Sequence, residues 1–237
     1  MSQKVIQFIG TQRSGSNLLR LMLNQHQGIS APHPPHILRT FMPFLSQYGD
    51  LKVRKNRFLL VDDVCRWVEC NPVEWSSVNF DRDEITDKTT SLLDLFEVIY
   101  QQKCATDQAK IWCCKSTFNI QYTLELEKAI QPFYIYLYRD GRDVATSFKK
   151  AYVGPKHIYQ IAQKWHREQI ETYSFLSSLA SHRYVWISYE ALIQDPEKVL
   201  HLICERIGIE FDEIMLDYFN SKESLLTSKS GNMWANV

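Results

Sequence analysis

The chain has 237 residues, 45% hydrophobic and 23% charged, with 27 Lys plus Arg against 27 Asp plus Glu. This is the profile of a globular protein; its zero net charge argues against general nucleic-acid binding and against a highly anionic polymer as substrate, both of which need a basic excess. No run of about 18 apolar residues is present to span a membrane, and the opening MSQKVIQFIG does not read as a signal peptide, so a cytoplasmic protein with no membrane or nucleic-acid partner is expected.

Residues 4–9 read as a buried strand closed by Gly10, and residues 16–25 as a helix with Leu18, Leu19, Met22 and Leu23 on its apolar side. The proline-rich string APHPPHIL, residues 31–38, breaks the pattern. Residues from about 40 to 108 form a mixed insert with helical stretches near 58–70 and 90–103. Regular alternation then returns: a strand at 110–116, a helix at 123–130, a strand at 133–138, helices at 142–152 and 159–179, and a strand at 184–189. A last helix at 195–207 opens with Asp195, Pro196 and Glu197 and closes at Gly208. With no internal repeat, residues 1–237 are expected to form a single domain carrying the insert.

Strands alternating with helices predict an α/β fold, a central parallel sheet covered on both faces. Ligands of such sheets sit at the carboxyl ends of the strands. The loops after Ile9, Cys114, Tyr138 and Tyr189 are therefore expected to line one cleft. Six cysteines, at positions 65, 70, 104, 113, 114 and 204, form no C-x-x-C pair and no zinc spacing with histidine. No metal site is expected; the thiols fit a reducing compartment, with Cys113 and Cys114 as buried small hydrophobes.

The first loop reads GTQRSGSN, residues 10–17. Gly10 and Gly15 let the backbone turn its N–H groups toward one point, and the following helix adds its positive end. Ser14, Ser16 and Asn17 add side-chain donors. The glycines keep the spacing of a nucleotide-binding P-loop, G-x-x-x-x-G-K-[ST], but Ser16 and Asn17 stand where the lysine and the magnesium ligand belong. The loop's cation is Arg13 instead. Magnesium-dependent phosphoryl transfer is disfavoured; a phosphate bearing a second charged group is favoured. The glycines alone also fit an ordinary strand-to-helix turn. A second motif, YLYRDGRDVATSFKK at residues 136–150, puts Arg139 at a strand end and Ser147 eight residues later. An arginine fork and a hydroxyl suit a phosphate dianion, although Arg139, Asp140, Arg142 and Asp143 also fit a surface ion-pair cluster.

At these residues the sequence resembles the PAPS-dependent sulfotransferases. TQRSGSNLLRLML resembles their 5′-phosphosulfate loop and RDGRDVATS their 3′-phosphate motif. ISYEALIQDPEKVLHLICERIGI, residues 187–209, resembles the strand, loop and helix that follow. The resemblance implies a P-loop-type three-layer α/β/α fold and PAPS (3′-phosphoadenosine 5′-phosphosulfate) as donor, with PAP as product and no metal. It implies that Arg13, Ser14, Gly15, Ser16 and Asn17 bind the 5′ side, with Arg13 on the sulfonate. It assigns Arg139 and Ser147 to the 3′-phosphate, Tyr189 to adenine and Lys115 to the sulfonate. Lys229, Ser230 and Trp234, in SKSGNMWANV, resemble the start of a segment that closes over the cofactor in the family. The chain stops there without a polar tail, and a further C-terminal piece is expected. Leu18 departs from members that stack adenine on tryptophan at that position.

Sulfonyl transfer to a hydroxyl needs a proton acceptor. In relatives with a Gly-Glu-Pro-His-like string the glutamate falls at Pro34, so the candidates here are His33 and His36, of which His36 matches the histidine of those relatives. The insert aromatics Phe41, Phe44, Phe58, Trp67, Trp75 and Phe80 provide core and the wall of an apolar pocket. A small apolar acceptor is therefore expected: an alcohol, a phenol or a sterol-like molecule. Two other readings fit parts of the pattern, a P-loop small-molecule kinase and a non-catalytic nucleotide-binding module of the same fold.

Overall fold

The computed structural model describes residues 4–152, 154–221 and 223–225. Five parallel strands form one sheet in the order β2-β3-β1-β4-β5: β1 (Lys4–Ile9), β2 (Ile29–Ser30), β3 (Ile111–Cys114), β4 (Phe133–Tyr138) and β5 (Tyr184–Ser188). After β1 the chain adds β2 and β3 on one side, then crosses to add β4 and β5 on the other. The reversal of strand order beside β1 opens a crevice at its carboxyl end, where α/β sheets bind ligands.

Alternation along the strands divides the core. On one face Ile6 and Phe8 of β1 pack with Leu19, Met22 and Leu23 of α1 (Ser16–Leu23) and with Leu200, Ile203 and Cys204 of a C-terminal helix, Pro196–Ile207. On the other, Val5, Trp112 and Cys114 pack under the insert. Ile9, Tyr134 and Tyr136 pack against Leu176 of the long helix Ile158–Ser177. Helices thus cover both faces, giving the three-layer α/β/α architecture.

The insert holds four helices: α2 (Ile37–Phe41), α3 (Arg54–Glu69), α4 (Arg82–Lys88) and α5 (Leu92–Thr106). The later helices are α6 (Thr123–Ala129), α7 (Gly141–Lys150), α8 (Ile158–Ser177), α9 (Tyr189–Gln194) and α10 (Pro196–Ile207). The helix α5 has a capping box, Ser91 with Asp94, and α10 starts under the Asp195 side chain. Short elements escape a periodicity reading, among them β2 and α2, which starts directly after the prolines. One expectation needs correction. Tyr189 is not followed by a loop; it opens α9, whose amides are capped by the Ser188 hydroxyl bonding Ala191 N–H at 3.0 Å. Of the six cysteines only Cys70 is exposed, and all are free thiols. No helix among the described residues is long and apolar enough to cross a membrane.

Candidate functional site

Three loops meet at the carboxyl end of β1. The first leaves β1 through Gly10, whose φ is 123°. A Cβ there would stand 2.5 Å from the Leu137 carbonyl oxygen of β4, so only glycine lets the chain leave the sheet so close to its neighbour. Arg13 and Gly15 also have positive φ, 71° and 89°. A Cβ on Gly15 would lie 2.3 Å from the Tyr189 ring, so that ring covers the loop at van der Waals range. The helix α1 begins at Ser16 with no side-chain cap, which leaves its first amides for a ligand. Ser14 Oγ and Asn17 Nδ2 are buried and have no hydrogen-bond partner among the described residues.

The second group comes from the end of β4. The Arg139 guanidinium lies 4.1 Å from the Tyr189 ring centroid and donates to the Arg13 carbonyl at 3.4 Å. Its Nε is buried without a hydrogen-bond partner among the described residues, and the guanidinium pairs with Asp143 at 3.8 Å. Arg13 Nε donates to Ser147 Oγ of α7 at 3.0 Å, across 134 positions of sequence. Burial, then the charge of Arg139, lowers the Arg13 pKa. Two guanidinium groups pressed together in a partly buried place describe a site for an anion.

The third group surrounds the end of β3. Lys115 is 6% exposed. Burial, Arg20 and Arg13 bring its pKa down to about 7, against the opposing pull of Cys114 and Glu223. The loop is anchored by Gln7 Nε2, which donates to the carbonyls of Cys114 at 3.1 Å and Ser116 at 3.2 Å. Ser116 Oγ lies 2.8 Å from Nδ1 of His36. Burial and the Lys115 charge push both histidines down, His36 to about 3 with Arg39 contributing and His33 to about 2 with Arg20 contributing. Both rings are therefore neutral at neutral pH.

A profile described as the sulfotransferase family matches residues 6–213. The chain belongs to the sulfotransferase family.

Solved structures agree on the fold. The sulfotransferase domain of the Synechococcus PCC 7002 olefin synthase superposes with a TM-score of 0.68 at 23% identity, covering 100% of this chain and 84% of that one. The sulfotransferase domain of the curacin biosynthetic pathway gives 0.65 at 22% identity, with coverages of 99% and 82%. Sulfotransferase STF1 of Mycobacterium tuberculosis H37Rv gives 0.50 at 12% identity, with coverages of 100% and 78%. A sequence search of curated proteins found no match.

The loops bring Arg13, Ser14, Gly15, Ser16, Asn17, Arg139, Ser147 and Tyr189 together; Lys115 feels the charges of Arg20 and Arg13, and both His33 and His36 feel the charge of Lys115. Lys229, Ser230 and Trp234 lie outside the described residues. The Arg13 side chain turns to Ser147, and the charges acting on the histidines are those of Lys115 on both, Arg20 on His33 and Arg39 on His36. Among the described residues no group of three or more His, Cys, Asp or Glu side chains is placed to hold a metal ion.

Sequence reasoning missed Arg20. It is fully buried on α1, donates to Asn17 Oδ1 at 3.1 and 3.0 Å and to the Ala31 carbonyl at 3.0 Å, and pairs with Glu223. By holding Asn17 Oδ1, Arg20 leaves Asn17 Nδ2 as that side chain's available donor. An arginine in an amphipathic helix carries no sequence signal of burial; its spacing of three from Asn17 is the one hint.

Proposed function

We propose that this sulfotransferase moves a sulfonate from PAPS to the hydroxyl of a small apolar alcohol, phenol or sterol-like acceptor. The supporting observation is the contact of Arg13 with Ser147, with Arg139 alongside and its Nε unpartnered. The fit rests on two anion-seeking groups side by side: the uncapped α1 end with Ser14 and Asn17, and the arginine pair. A donor with charged groups on both its 5′ and 3′ positions matches that arrangement. Arg13, Ser14, Gly15, Ser16 and Asn17 are assigned to its 5′ side, Arg139 and Ser147 to its 3′-phosphate, and Tyr189 to the adenine. Lys229 and Ser230 are assigned to the same ligand by resemblance alone.

PAPS supplies a sulfonate on a phosphate leaving group, and the acceptor oxygen bonds to sulfur as the bond from sulfur to the 5′-phosphate oxygen breaks. Lys115 and Arg13 stabilise the negative charge that grows on the departing oxygen. His36 is the proton acceptor in this reading: Ser116 engages Nδ1, which leaves Nε2 for the hydroxyl proton. The low basicity of His36 in the free protein comes from burial and from Lys115 and Arg39. An anion beside Lys115 offsets that charge and strengthens the base only once the donor is bound.

The insert supports this acceptor class. Phe41, Trp75 and Phe80 are core, whereas Trp67 is 47% exposed. Trp67 lines a groove of about 340 Å³ with Thr40, Phe41, Asp63, Arg66 and Cys70. Its wall is mainly apolar, and Thr40 follows His36 by one turn, its N–H on the His36 carbonyl at 3.0 Å. Apolar pockets with a few polar groups hold small molecules of this kind.

The test is PAP release from PAPS across a panel of apolar alcohols, phenols, sterols and sugars. Turnover with the apolar members is expected; turnover with sugars alone would overturn the acceptor class, and none with any member would overturn the reading. A pH effect accompanies it. Lys115 titrates near 7 in the free protein, and a bound anion raises it toward its ordinary value of about 10.5. Between those values the complex carries more of the Lys115 proton than the free protein does. PAP binding is therefore expected to take up protons above pH 7, with affinity falling up to about tenfold per pH unit and levelling below 7. Titration calorimetry in buffers of different ionisation enthalpy reads the proton directly, and Lys115→Met should abolish the uptake.

A further inference from the structure

The histidine segment is held from outside by the insert. The Trp75 indole N–H donates to the His33 carbonyl at 2.7 Å, and Asn71 Nδ2 reaches the same oxygen at 3.5 Å. The Trp67 indole N–H donates to the Pro35 carbonyl at 2.6 Å. Pro32, Pro34 and Pro35 have no N–H, so the carbonyls are the backbone handles by which this stretch can be fixed.

Both ends of the segment trace back to β3 and the residues that directly follow it, Lys115 among them. At one end, Trp75 meets Tyr100 at 5.0 Å between ring centroids, and Tyr100 stacks on Trp112 of β3 at 4.9 Å. At the other, the His36 ring nitrogen lies 2.8 Å from Ser116 Oγ and the ring makes a T-shaped contact with Phe118 at 5.0 Å, with Arg39 3.7 Å from the centroid of that phenyl ring. His36 itself has φ 55°, a left-handed conformation that a bulky residue keeps only when its surroundings hold it. The clamp supplies that hold: fixing the carbonyls of His33 and Pro35 leaves the chain one way to bring His36 onto Ser116.

We propose that Trp67 and Trp75 are positioning residues, whose indole N–H groups hold the His33–Pro35 backbone so that the His36 ring stays on Ser116 beside Lys115. This gives the insert a role in the chemistry besides forming the acceptor wall. It deepens, and rests on, the reading of His36 as proton acceptor.

Trp67→Phe and Trp75→Phe remove the N–H and keep a ring. Trp112→Phe is the control, because Trp112 belongs to the same ring column and its indole N–H has no partner among the described residues. Two quantities are read: the titration of the histidine rings by ¹H–¹⁵N NMR, and kcat, KM and PAP affinity. In the wild type His36 stays neutral to about pH 3. In the Trp67 and Trp75 variants its titration is expected to move toward the ordinary value of about 6.5 as the ring loses its burial and leaves the charge of Lys115. Where turnover is present, kcat is expected to fall about tenfold or more, with PAP affinity unchanged. Trp112→Phe should leave the His36 titration in place. An unmoved His36 titration in both clamp variants overturns the proposal, as does an equal movement in Trp112→Phe. Trp67 lies at the surface, so its variant keeps the test open if loss of Trp75 unfolds the chain. The histidine titration decides the clamp even without turnover, and absence of turnover counts against the sulfonyl-transfer reading instead.

Discussion

Arg139→Ala is expected to weaken binding of PAP, the desulfated product, about a hundredfold or more. Arg139 lies against Tyr189, touches the loop through the Arg13 carbonyl, and has a buried Nε with no partner. A fork held this way is organised before the ligand arrives, so little side-chain entropy opposes binding. Hydrogen bonds to charged groups contribute roughly 1.5–3 kcal/mol each, and a bidentate phosphate contact loses two, so affinity should fall about a hundredfold or more. Arg139→Lys keeps the charge and loses the fork, and should fall between. Calorimetric titration with PAP, alongside ATP plus magnesium, makes the measurement. ATP should be ignored, since Ser16 and Asn17 replace the lysine and the magnesium ligand of a nucleotide triphosphatase. Folding provides an internal check. Burial and then Arg139 lower the Arg13 pKa, so removing Arg139 relieves repulsion while losing its contact with Tyr189, and thermal stability without ligand should change far less than PAP affinity. Undiminished PAP affinity in Arg139→Ala would put the 3′-phosphate elsewhere.

His36→Asn is expected to lower kcat about a hundred- to ten-thousand-fold while PAP affinity stays within about threefold. Asparagine is the informative replacement because it tolerates the left-handed backbone found at His36 and can keep a hydrogen bond to Ser116. The loss then reports the missing proton acceptor. His33→Asn should cost less than tenfold, since the contribution of that position to the clamp is its carbonyl, which any side chain leaves in place. Steady-state kinetics with a responsive acceptor separates the two. A large loss in His33→Asn with none in His36→Asn would exchange their roles.

Much of the fold is legible because it is written locally. The strands β1 and β4 have the bounds that their apolar runs indicate, and α10 is bracketed by Asp195, Pro196 and Gly208 as its sequence implies. The insert is less legible. Its helix α3 starts at Arg54 after Val53, which offers no side-chain cap and so no start signal. The helix α4 carries its cap, Asp81 accepting from Glu84 N–H at 2.9 Å, but seven residues are too few for a clear period.

The candidate residues could be named from the chain, because Gly10 and Gly15 keep the spacing of a phosphate-binding turn that carries Arg13, and the motif holding Arg139 and Ser147 resembles a 3′-phosphate site. Their arrangement was decided by the sheet. Strand order places β3 and β4 on opposite sides of β1, and so brings Ser116 to one flank of the loop and Arg139 to the other. The turn of Arg13 onto Ser147, the burial of Arg20 beneath Asn17, the close cover of Tyr189 on Gly15 and the tryptophan clamp on the histidine segment all join residues far apart in sequence or hidden in an ordinary helix face. Backbone propensity and hydrophobic period act over a few residues, so they can specify a strand or a cap. Which side chain faces which across a cleft depends on packing between elements, and packing exists only once the chain has folded.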